Sequence, residues 1–241
     1  MPKILIQYGK SGALRYLSHL ELMRALERSF RRANIRIQIG QGFNPRPRVS
    51  YGPALPVGTG SLAEYMVVEV IDSVAEDNLL EKMVSVLPKG LNIYRAKYIE
   101  GKQGLITSAV QSAAYRAKVK FGSDIEDVAA LITRLREENR LSTRHKDKEK
   151  WVETNKAILD WQVKRKNGSI YDFYMLLSMN DQNSLRPEAV INKLSEMFCQ
   201  AGKIELLELC RIEQYVNRGN PLINIYDFYE GVTMGSEFNK S

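Results

Sequence analysis

Hydrophobic residues along this 241-residue chain change their spacing in a fixed order, and the order occurs twice. Apolar positions alternate with polar ones where a strand is expected and recur every three or four residues where a helix is expected. In the first half, KILIQY (3–8) reads as a strand. Ser18 and Glu21 have the spacing of a capping box and open a helix running to about Ala33. Leu22, Met23, Leu26, Phe30 and Ala33 fall on one side of it, and Arg24, Arg28, Arg31 and Arg32 on the other. Ile35, Ile37 and Ile39 predict a half-buried strand, and a Gly/Pro-rich segment follows at 40–60. AEYMVVEVI (63–71) predicts a strand, Leu79–Leu87 a helix stopped by Pro88-Lys89-Gly90, and Leu91–Tyr98 a closing strand.

The second half repeats this order. Tyr115, Ala117, Val119 and Phe121 alternate along a strand, and Ser123 with Glu126 predicts a second capping box before Ile125–Leu135. A charged loop is expected over about 137–155, then a strand at Ala157–Val163. Asn167-Gly168 is a two-residue hairpin signal joining that strand to Ile170–Ser178. Pro187 marks a helix start, with Val190, Ile191, Leu194, Met197 and Phe198 apolar and Gly202 ending it; Ile204–Ile212 is the last strand. Two β-α-β-β-α-β runs predict an α+β chain of two tandem ferredoxin-like domains with antiparallel sheets, at 1–105 and 113–215. The join falls near Gly101–Ser112, and 216–241 is expected to be an irregular tail.

Charge bears on partners. The chain carries +7 overall. Residues 1–50 hold ten basic residues against Glu21 and Glu27, a balance of +8, while the remaining 25 basic and 26 acidic residues leave −1. A cationic first fifth predicts an anionic partner, RNA above all. No apolar run approaches the roughly 20 residues of a membrane span, so no membrane association is expected. MPKILIQYGKSG reads as a strand start rather than a signal peptide. Cys199 and Cys210 are the only cysteines, which predicts a reducing, cytoplasmic setting.

Two segments carry the candidate site. In the first, Arg15 and His19 flank the helix start at Ser18, where free amides and the macrodipole favour an anion. The plain alternative is that Ser18 only caps and His19 is a surface residue. The arginines at 24, 28, 31 and 32 lack balancing partners on their own face, and that favours binding over mere solvation. In the second, GFNPRPRVSYG (42–52), the prolines stiffen the chain and Arg46 and Arg48 are expected to project to one side. Phe43 and Tyr51 offer stacking faces, Asn44 a polar contact, and Glu64 either a partner for one arginine or an edge-strand carboxylate. No phosphate-binding glycine loop ending in Lys-Ser/Thr and no Cys-Xaa-Xaa-Cys occurs. With His19 and His145 the only histidines, no metal and no cofactor is expected.

RYLSHLELMRALERSFRRANI followed by GFNPRPRVSYGPALPVGTGSLAEY resembles the bacterial radical-SAM-linked proteins of unknown function. They occur alone or fused behind a radical-SAM domain, often encoded near ribonuclease and ribosomal-protein genes. The resemblance implies an accessory role beside a radical-SAM enzyme and marks Arg15, His19, Asn44, Arg46, Arg48 and Glu64 as motif positions. Lacking the three-cysteine cluster motif, the chain is not itself expected to be a radical-SAM enzyme. At the level of architecture, the expected fold is similar to tandem ferredoxin-like ribonucleases that process CRISPR RNA, some of which use a histidine near the first helix.

Three functions follow as expectations. The first is a non-catalytic RNA-binding or docking module in RNA modification or ribosome-related metabolism. The second is a metal-independent ribonuclease with His19 as acid or base and Arg15 or Arg46 stabilising the phosphorane. The third is a dock for an acidic protein.

Overall fold

Side-chain alternation does in three dimensions what it does in the sequence: it sorts each strand into a face that helices cover and a face that they leave. The fold is that of a computed structural model, which describes residues 1–41, 43–99, 106–122, 128–145, 148–180, 182–197 and 204–229. It is an α+β fold, and the chain divides into two units, Met1–Val110 with the segment from Pro221, and Gln111–Asn220.

The first unit contains β1 (Lys3–Lys10), α1 (His19–Arg32), β2 (Val49–Tyr51), β3 (Gly60–Glu69), α2 (Glu76–Val84), β4 (Leu91–Ile99) and a single turn, α3 (Ile106–Ala109). β1 lies between β4 and β3, β2 pairs with the far side of β3, and all these pairs are antiparallel. Ile4, Ile6 and Tyr8 of β1 and Met66 and Val68 of β3 form one sheet face, which packs on Leu22, Leu26 and Phe30 of α1 and Leu79 and Met83 of α2. The capping box expected at Ser18 and Glu21 is present. At its other end α1 stops in a Schellman motif: Asn34 has φ +56, its amide donates to Arg31 and that of Ile35 donates to Phe30. The strand expected at Ile35–Ile39 reduces to isolated bridges, Ile37 with Val70 and Ile39 with Pro47. Before β4, Gly90 has φ +96, and a Cβ there would come within 2.7 Å of the Ser11 carbonyl.

The tail expected to be irregular from 216 contains a turn, α7 (Ile225–Phe228), capped by Asn224. Tyr226 is buried in the first unit, where Lys97 of β4 donates to its carbonyl at 2.6 Å and sits 4.0 Å from its ring centroid. A chain segment with no internal period is ordered here by a cation–π contact, which periodicity does not report.

The second unit contains β5 (Ser112–Lys120), α4 (Val128–Glu137), β6 (Arg140–His145), β7 (Lys148–Glu153), a single turn α5 (Thr154–Ala157), β8 (Ile158–Asn167), β9 (Ile170–Ser178), α6 (Pro187–Met197) and β10 (Glu205–Tyr215). Its antiparallel sheet runs β10-β5-β9-β8. Ala117 and Val119, Phe173 and Met175 pack on Leu131 and Leu135 of α4 and Val190, Ile191 and Leu194 of α6.

Two expectations change here. The charged loop at 137–155 is in fact the hairpin β6–β7, whose Leu141, Thr143 and Val152 are buried. Its charged majority conceals a period of two. The β8–β9 turn is Gly168-Ser169, one residue later than expected: Asn167 pairs with Ile170, and an irregularity between Arg165 and Asn167 shifts the register. The Ser123–Glu126 capping box, Phe198, Cys199 and Gly202 lie outside the described residues. Among the described residues, no helix is long and apolar enough to cross a membrane.

Candidate functional site

The helix-covered sheet face of the first unit becomes polar at one end. Tyr8 of β1 pairs with Glu64 of β3, and Lys10 follows two residues on. Lys10 is 1% exposed and Glu64 4% exposed. A buried ammonium and a buried carboxylate both need partners. Lys10 donates to the carbonyls of Arg15 and Leu17, each at 3.3 Å, and Glu64 accepts from Ser61 Oγ at 2.7 Å. Lys10 thus ties β1 to the segment that leads into α1.

His19, the first residue of α1, lies above this cluster. Its ring meets Tyr51 edge-on, with centroids 5.8 Å apart. Burial lowers its pKa, the Glu64 charge opposes that shift and the Lys10 charge adds to it. Burial also raises the Tyr51 phenol, with Glu27 adding to the rise. His19, Tyr51 and Glu64 are therefore brought together, and Tyr51 meets His19 rather than standing clear as a stacking face. Arg15 sits in the short 3-10 turn before α1, where it donates to Tyr16 Oη at 2.7 Å and leaves its buried Nε without a partner among the described residues. The helix start itself is occupied. Ser18 Oγ accepts from the Glu21 amide, the Glu21 carboxylate accepts from the Ser18 amide at 2.8 Å, and a negative charge already complements the dipole.

The arginines separate into two groups. Arg24, Arg28 and Arg31 are exposed on the outer side of α1. Arg32, also exposed, donates to the Val86 carbonyl at 2.6 Å and fastens the end of α1 to the segment after α2. Arg48 pairs with Glu69 at 3.2 Å, so it does not project with Arg46 as expected. Arg46 is exposed on an arm in which Gly40 donates to the Arg46 carbonyl and Arg48 to the Gln38 carbonyl. Phe43, fully exposed, and Asn44 lie toward the tip of that arm.

Helix row and arm meet at one place. Arg31 and Asn34 from the end of α1 and Ile39 and Pro47 from the arm line a common hollow of about 550 Å³. The pair His19 and Glu64 lies elsewhere. Along β3, Glu64 precedes Glu69, the anchor of Arg48, by about 17 Å at 3.3 Å per residue. The candidate residues thus form two places, a buried polar end with His19 and an exposed cationic end with the arm.

Lys10 and Ser61 were not singled out in the sequence, although Lys10 shares the parity of Ile4, Ile6 and Tyr8, which is the available signal for an inward lysine. Among the described residues, no three His, Cys, Asp or Glu side chains are placed to hold a metal. Cys210 is a buried thiol.

A family model described as "Uncharacterized protein conserved in bacteria (DUF2344)" matches residues 3–187. No curated protein matches the sequence. Among solved structures, a chain in the crystal structure of a Cbf5-Nop10-Gar1 complex is similar with a TM-score of 0.49 and 11% identity, over 94% of this chain and 54% of that one. A chain in the archaeal box H/ACA sRNP Nop10-Cbf5 complex is similar with a TM-score of 0.45 and 9% identity, over 86% and 46%. The present chain spans about half the length of those two.

Proposed function

The chain belongs to the bacterial family DUF2344 of uncharacterized proteins, and from that premise we propose that its first unit is a non-catalytic RNA-binding module. The reading rests on one observation above the rest: Arg31, from the arginine row of α1, and Ile39 and Pro47, from the arm that also carries Phe43 and Arg46, line one hollow. Guanidinium forks suit phosphates, and a fully exposed phenyl ring suits stacking on a base. Asn44 adds a polar contact beside that ring. In each unit the last strand lies outermost beside the first, and we read both units as ferredoxin-like repeats. The motifs at 15–65 support a further element of the proposal, an accessory role beside a radical-SAM enzyme in RNA modification or ribosome-related metabolism.

The test is RNA binding as a function of salt, read by anisotropy of a short labelled single strand. Log affinity is expected to fall with log salt by about 0.7 per phosphate contact, and an Arg28→Ala/Arg31→Ala/Arg46→Ala variant to shrink the slope by about 2. Salt-insensitive binding, or a slope unchanged in that variant, overturns the reading. Retention of a co-expressed radical-SAM enzyme on the tagged protein tests the partner, and its absence from the eluate counts against that element.

A second reading keeps His19 as the acid or base of a metal-independent ribonuclease. The Glu64 charge acting on His19 favours it, as does the partnerless Nε of Arg15. RNA cleavage that persists in EDTA and disappears in both His19→Ala and Glu64→Gln is its expected signature. No cleavage by the unaltered protein retires it.

A further inference from the structure

The hairpin β6–β7 presents an aromatic ring to solvent where packing gives no reason for one. Ser142 pairs with Trp151 and Arg140 with Glu153, so Arg140 and Trp151 share the outer face, while Leu141 and Val152 face the core. Trp151 is 58% exposed. Leaving so large an apolar surface in water is unfavourable, and the hairpin's packing is already supplied from its other face.

Two grooves adjoin this ring, and Arg140 and Trp151 line each of them. One, of about 410 Å³, runs between the hairpin and α6 and also takes in Arg186, Glu188 and Thr143. The other, of about 500 Å³, takes in Asn180, Asn183 and Arg218. The lysines at the margins are neutralised, Lys193 by Glu138 at 3.5 Å and Lys156 by Glu153 at 2.8 Å. Arg140, Arg186 and Arg218 have no ion pair among the described residues. In the first groove, the buried Oε2 of Glu188 has no hydrogen-bond partner among the described residues. A buried polar atom left unmatched is costly, and one at a groove points to a ligand with a polar edge.

We propose that this ridge is a second RNA site, at which a base of a single strand stacks on Trp151. Arg140, Arg186 and Arg218 hold the phosphates before and after it, and Glu188 meets the polar edge of the base. A single strand is the form whose bases are open to stacking, and a ring with guanidiniums in both adjoining grooves suits its alternation of base and phosphate. The inference rests on the RNA reading above and adds a surface that the first unit does not contain.

The chain has two tryptophans, Trp151 and Trp161, and Trp161 is 5% exposed. In a Trp161→Phe variant, fluorescence reports Trp151 alone. Titration with a short oligouridylate is expected to quench it saturably, and Trp151→Ala to weaken binding on the order of tenfold while leaving the salt slope unchanged. Arg140→Ala/Arg186→Ala/Arg218→Ala is expected to reduce the slope by about 2. If Trp161→Phe does not fold, protection of the unaltered protein's exposed tryptophan from iodide by oligouridylate gives the same readout. Binding seen by anisotropy with no quenching or protection, and unchanged in Trp151→Ala, overturns the second site and leaves the first-unit reading standing. Quenching that survives Arg28→Ala/Arg31→Ala/Arg46→Ala supports the second site even where the first fails. No binding by either measure overturns both.

Discussion

His19 titrates against a surface built by three strands: Tyr51 on β2 meets its ring, Glu64 on β3 and Lys10 on β1 act on its charge. Burial makes the largest contribution and holds the folded pKa below the ordinary value of about 6.5. The unfolded chain therefore takes up this proton at a higher pH than the folded one. Stability linked to His19 is complete above about pH 6.5 and is lost as pH falls from there through the lowered folded value. Urea midpoints taken between pH 7 and pH 5 are expected to fall for the unaltered protein and to fall less for His19→Gln. Equal slopes in the two proteins count against the burial of the ring. The same scale explains which arginine was misjudged. Arg48 looks unopposed in a window of a few residues, but its carboxylate, Glu69, lies 21 positions away.

At the scale of elements, α1 was legible almost in full, because its signals act within one turn. Ser18 and Glu21 satisfy each other's amides, and Leu22, Leu26 and Phe30 recur at helical spacing. Ser18→Ala removes the cap and is expected to cost about 1 kcal/mol, read as a lower urea midpoint, whereas Ser18→Asp restores the acceptor and most of the stability. The hairpin β6–β7 was not legible. Its buried positions alternate, but charged residues surround them, and composition overrode pattern. The segment at 35–39 misled in the opposite way. Its isoleucines alternate as a strand would, yet only Ile37 and Ile39 make bridges.

Over the whole molecule, the α+β class was readable, and the place of β2, the hairpin β6–β7 and the return of the segment after Pro221 to the first unit were not. The Arg95 guanidinium lies 4.2 Å, and the Lys97 ammonium 4.0 Å, from the ring centroid of Tyr226. Tyr226→Ala is expected to destabilise the protein by about 3 kcal/mol through loss of the buried ring. Tyr226→Phe keeps that ring and should stay within about 1 kcal/mol of the unaltered protein. Chemical denaturation of both variants makes the comparison. A Tyr226→Ala variant as stable as the unaltered protein shows that the segment merely rests on β4.

What the chain determined locally was each element that depends on contacts within a turn or on strict alternation: α1, β1, β3 and with them the α+β class. It also determined the cationic excess of the first fifty residues, since charge is additive along a sequence. Tertiary structure alone decided which charges remain available. Arg48 is neutralised by Glu69 and Arg32 is bound to the Val86 carbonyl, while Arg28, Arg31 and Arg46 are left at the surface. It also decided that His19 shares an enclosed end with Glu64 and Lys10 rather than a surface with the arm. Pairings of this kind depend on strand register and chain reversal, and both join residues far apart in sequence through distances that no local window contains.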